Sequence, residues 1–88
     1  MKPLMNDFLR LVIMERIRQG AKWGEQTHSG HTWVSVLAEK AGEAAQAIND
    51  NDIPQAMDEL VEVAAVCCAI WEQAVSGPVV EIQRVGDE

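Results

Sequence analysis

The segment "ELVEVAAVCCAIW", residues 59–71, decides the fold. From Leu60 to Trp71 every residue is apolar except Glu62. Asp52 and Pro54 ahead of this run are a cap and a first-turn residue, and Gly77 and Pro78 behind it are stop signals. A helix over about 54–76 is expected. Its middle is apolar on nearly every side, so one partner helix cannot cover it. A second subunit is therefore expected to complete the packing. Glu62 is the exception within the run. A buried, unpartnered carboxylate costs several kcal/mol or takes up a proton. Glu62 must then reach solvent or meet a cation.

Working towards the N-terminus, "NDND" at 49–52 separates this helix from another. Thr32 offers a cap for a helix over about 32–49 whose stripe is Val34, Leu37, Ala41, Ala44 or Ala45, and Ile48. Before it lies a loop of turn formers, "GEQTHSGH". A first helix over about 7–22, capped by Asn6 or Asp7, carries Phe8, Leu11, Val12, Met14 and Ile17 on a broad apolar side. Residues 77–88 form a short tail. The expected architecture is all-α and a single domain over 1–88. It is a helical hairpin plus an N-terminal helix, completed to a four-helix-type bundle by oligomerisation.

Eighty-eight residues lie near the lower limit for a domain that folds alone, which also favours oligomerisation. Cys67 and Cys68 are adjacent and read as reduced, buried thiols. No secretory leader or membrane span is recognisable, because charged residues interrupt the apolar start and Glu62 splits the longest apolar run. A cytoplasmic location is expected. The formal charge of −7 disfavours nucleic-acid backbones. Six of the seven basic residues fall in residues 1–40 and ten of the fourteen acids in 41–88. An anionic ligand would thus need the basic half or a bridging cation.

On helical wheels, Glu43 and Lys40 share one flank of the second helix, while Glu39 points towards solvent. Glu59 and Glu62 form another i, i+3 pair on the third helix. In an antiparallel hairpin Glu43, Glu59 and Glu62 would converge at one level. Carboxylate oxygens in such a group suit Mg²⁺ or Mn²⁺. Spacing alone leaves two readings open, a divalent-ion site and a solvated helix face. His28 and His31 have the spacing of a ligand pair but no nearby thiols, and a capping or loop-packing role is expected for them.

"RQGAKWGEQTHSGHTWVSVLAEKAGEAAQAI", residues 18–48, and "DELVEVAAV", residues 58–66, resemble the short MazG-like nucleotide pyrophosphohydrolases of the all-α NTP pyrophosphatase superfamily. The resemblance covers roughly two thirds of the chain. It implies a helical dimer or tetramer that hydrolyses a nucleoside triphosphate to monophosphate and pyrophosphate with Mg²⁺, Mn²⁺ being a possible substitute. The family's Glu-Glu-x-x-Glu and Glu-x-x-Asp pattern implies Glu39, Glu43, Glu59 and Glu62 as metal ligands, with Glu43 and Glu62 catalytic. It further implies Arg18, Gln19, Lys22, Trp23 and Lys40 as substrate-binding residues, and Trp33 as another base-stacking candidate.

Two departures mark this sequence. Glu62 stands for the family's Asp, and Lys40 for its second Glu. An ammonium cannot ligate a cation and competes with it. The alternative function is therefore a catalytically impaired helical oligomer that binds nucleotide or a protein partner without turnover.

Overall fold

The computed structural model describes residues 3–24 and 27–76. They form three helices: α1 (Pro3–Trp23), α2 (Gly30–Asn49) and α3 (Ile53–Ser76). No strand occurs among the described residues. The tail expected over 77–88 lies outside them.

Helix α1 begins at Pro3, ahead of the expected cap at Asn6 or Asp7. Proline at a first helical position sacrifices no hydrogen bond, so the helix starts at the earlier signal and both polar residues lie within it. Helix α2 starts ahead of Thr32 for a similar reason. Ser29, with extended φ −66 and ψ 161, is the N-cap, and its hydroxyl accepts from the Thr32 backbone N–H at 3.2 Å.

The turn between α2 and α3 closes with backbone bonds from Asp50 to Gln46, Asn51 to Ile48 and Asp52 to Ala47. Asn51 takes φ 56, a left-handed conformation that asparagine tolerates better than most residues. Asp52 caps α3 as expected, its Oδ1 accepting from the Gln55 N–H at 3.3 Å. So short a turn folds α3 back along α2. Contacts Trp33–Gln73 and Lys40–Glu62 follow in antiparallel register.

Helix α3 is the shared element. It packs chiefly against α2 and secondarily against α1, while α1 and α2 do not pack on each other. The α2 face that meets α3 runs through Trp33, Leu37, Lys40, Ala44 and Ala47, with Trp33, Ala44 and Ala47 buried. The expected stripe is thus rotated: Val34, Ala41 and Ile48 are exposed, and Lys40 moves from its flank to its centre. From α3 the seam takes Ala56, Glu59, Val66 and Gln73. Alanines let the backbones approach closely at the turn end, whereas polar residues occupy much of the remainder.

The helices leave large apolar side chains uncovered, as the greasy middle of α3 foretold. Leu4 is 81% exposed, and Leu11, Ile13, Met14 and Ile17 of α1 are also exposed. Met57, Leu60, Trp71 and Val75 of α3 are exposed too. No helix among the described residues is long and apolar enough to cross a membrane.

Candidate functional site

Lys40 projects from the middle of the α2–α3 seam. Its Nζ donates to Glu62 Oε1 at 2.9 Å and stands 3.7 Å from Glu43 Oε1, one turn along α2. The hydrogen bond to Glu62 is the main cause of a raised Lys40 pKa. Partial burial works against it, and the charges of Glu62, Glu43 and Glu59 add to the rise. Three carboxylates thus act on one ammonium. The open question about Glu62 is answered here: it meets a cation within its own chain.

Glu59 is the most deeply placed of the three, 9% exposed. Gln55 Nε2 donates to its Oε2 at 2.6 Å, one helical turn away. Its Oε1 is buried without a hydrogen-bond partner. A buried polar atom left unsatisfied is uncommon, and an ordered water or ion is a usual reason for one. Glu39, by contrast, lies on the exposed face of α2. Glu43 and Glu62 therefore contact Lys40, Glu59 acts on it only through its charge, and Glu39 is not among them.

A groove of ≈ 680 Å³ adjoins this cluster. Arg16, Arg18 and Gln19 of α1 line it, with Lys40 of α2 and Glu62 and Glu72 of α3. Of the expected substrate-binding residues, Arg18, Gln19 and Lys40 meet there. Lys22 is exposed and does not line the groove. The Trp23 side chain lies outside the described residues.

Sequence spacing underlies a second device that was not anticipated. Glu15 accepts two bonds from Arg18, at 2.9 and 2.7 Å, and one from Gln19 Nε2 at 2.9 Å. The bonds from Arg18 are the main reason the Glu15 carboxyl titrates below its ordinary value; burial opposes them. These are i, i+3 and i, i+4 partners, so the signal was present in the sequence. Arg16 bonds Glu72 across α1 and α3, while its Nε is buried without a partner.

Gln73 organises the other end of the groove. Only 4% exposed, its Oε1 accepts from Trp33 Nε1 at 2.9 Å and from the His28 N–H at 3.0 Å. Its Nε2 donates to the His28 carbonyl at 2.8 Å. The His28 ring sits edge-on to Trp33, centroids 4.8 Å apart. His28 therefore packs the loop, as expected. Trp33 is part of the core, which leaves its face little room to stack on a base.

Among the described residues, no three His, Cys, Asp or Glu side chains already stand together as a metal-binding group. The expected ligands are all oxygens, one of them buried and unpartnered at Glu59 Oε1. The Lys40 ammonium stands beside Glu62 Oε1 and Glu43 Oε1. Compared with protein-family models, curated proteins and solved structures, the chain matches none.

Proposed function

We propose that this chain is a MazG-like nucleoside triphosphate pyrophosphohydrolase that works with Mg²⁺ or Mn²⁺. One observation carries the reading: Glu43 and Glu62, from two helices, meet at a single cationic point, with Glu59 three residues before Glu62 on α3, beside a groove lined with arginines. The groove's ≈ 680 Å³ falls within the usual range for a small-molecule site.

In this reading Glu43, Glu59 and Glu62 hold the ion. When bound, it supplies charge neutralisation on the triphosphate and a more acidic water. Arg18 and Lys40 meet phosphate oxygens, and Gln19 hydrogen-bonds the base. Glu43 and Glu62, whose carboxylates are less buried than that of Glu59, orient water and accept its proton. Water adds to the α-phosphorus, the bond from that phosphorus to its bridging oxygen breaks, and pyrophosphate leaves beside the monophosphate.

A second copy of the chain covers the exposed apolar residues of α1 and α3, giving a dimer or tetramer. Light scattering on the purified chain tests this; a monomer at micromolar concentration overturns it. Cys67 is exposed and Cys68 half-buried, so neither is the buried thiol expected from the sequence; as free thiols they suit a reducing cytoplasm.

The Lys40–Glu62 bond favours one other reading, nucleotide binding without turnover. Incubation with a panel of canonical and modified nucleoside triphosphates plus Mg²⁺ separates the two. Release of pyrophosphate and monophosphate supports hydrolysis. Saturable binding with no release supports the second reading, and the absence of both binding and release discards both.

A further inference from the structure

Helix α3 carries a second seam on the side that α2 leaves open. Met57, Leu60, Ala64, Cys67, Trp71 and Ala74 follow one another at alternating spacings of three and four. That is the heptad spacing of a helix that packs lengthwise on another helix. All are exposed except Ala64, which is half-buried, and Trp71 is 66% exposed. Asp58, Glu59, Glu62 and Glu72, the only charged residues of α3, fall on the opposite half of its circumference. None of the six stripe residues lines the groove, to which α3 gives Glu62, Val66 and Glu72 from its other side.

The stripe fits a partner of its own kind. It offers no charge to an acidic or basic segment, and a chain of net charge −7 with no basic residue on α3 is repelled by an anionic membrane surface. The exposed parts of Ile53, Met57, Leu60, Trp71 and Val75 amount to on the order of 600 Å² per chain, where a standard stable interface takes about 800 Å² from each partner. Half-buried Val61, Val63 and Ile70 flank them. The distribution of bulk sets the direction. In a parallel pair Trp71 would face Trp71 and Ala64 would face Ala64, which forces the helices apart at one end. Turned antiparallel about a two-fold axis between Ala64 and Cys67, Leu60 meets the partner's Trp71, Met57 the partner's Ala74 and Ala64 the partner's Cys67. The two helix dipoles then oppose each other.

We propose that α3 pairs antiparallel with α3 of a second copy along this stripe, in a symmetric dimer whose two grooves open away from the seam. The inference rests on the self-assembly proposed above and names its face. The exposed apolar residues of α1 are left to a contact between dimers, and each groove is complete within its own chain.

Sedimentation velocity of the full-length chain at micromolar concentration follows the assembly, and far-UV circular dichroism verifies that each variant is helical. I13E, altered on an exposed position of α1, should remain a dimer. I13E/L60E should raise the Kd of that dimer at least about a hundredfold, because each seam then buries two unpaired carboxylates. In C67S/C68S protein, oxidation should join L60C to W71C when the two variants are mixed, while neither variant joins to itself. If I13E is already a monomer, or I13E/L60E dimerises as tightly as I13E, the inference falls while the wider assembly stands. It falls equally if L60C and W71C each cross-link alone, or if their mixture does not cross-link. If the wild-type chain is a monomer, both fall.

Discussion

Replacing Gln73 by alanine removes a side chain 4% exposed that closes three hydrogen bonds between the end of α3, the start of α2 and the preceding loop. The buried Trp33 Nε1–H loses its partner at 2.9 Å, and water cannot readily replace it. That loss alone is worth about 1–3 kcal/mol. The His28 N–H and carbonyl are half-buried and regain some water, so together they add about 1 kcal/mol. The sum is about 2–4 kcal/mol, a large part of the ~4–13 kcal/mol expected of a domain this size. At roughly 4–8 °C per kcal/mol, Tm should fall by about 8–32 °C. Thermal melts followed at 222 nm, at matched protein concentration, measure it. A fall of less than about 3 °C would refute the claim that Gln73 fastens Trp33 and the loop to α3.

Three further outcomes follow from particular contacts. Ser29→Ala removes the cap of α2 and should cost about 1 kcal/mol, read from the urea midpoint; an unchanged midpoint would return the cap to Thr32. Because the folded Glu15 carboxyl titrates below its ordinary value, its stabilisation is complete above about pH 4.5 and is lost as pH falls through the lowered value. Glu15→Gln should therefore flatten the acid limb of stability against pH, and equal slopes in the two proteins would contradict the pairing with Arg18. Glu39→Gln should leave nucleotide turnover within about twofold of wild type, since Glu39 lies on the exposed face of α2; a hundredfold loss would show that it reaches the site.

Punctuation made the three helices readable in advance. Asp52, Pro54 and the "NDND" turn marked the start of α3, and the apolar run broken only by Glu62 marked a helix that its neighbours cover in part. The wheel for α2 was less reliable, because a stripe centred near Leu37 and Ala41 turned Val34 and Ile48 inwards. The structure buries Trp33 and Ala47 beside the expected Ala44, since small side chains let α2 and α3 approach. That rotation carries Lys40 into the seam. The approach of Glu43 and Glu62 to one point was legible from helical spacing and a short turn; the expected convergence of all three with Glu59 is not seen among the described residues. Gln73 was not, for nothing in its neighbourhood distinguishes a buried amide from a surface one; its partners are 40 and 45 residues away in sequence. Arg16 and Glu72 are likewise joined only by the packing of α1 on α3.

The account turns on acidic oxygens of α2 and α3 acting together on one bound nucleotide. Phosphorus NMR of the wild-type chain with Mg²⁺ and its preferred triphosphate, set beside Glu43→Gln and Glu59→Gln, tests it most directly. The account predicts pyrophosphate and monophosphate from wild type, a rate at least about a hundredfold lower in each variant, and helicity retained in all three. Turnover undiminished in either variant would contradict it.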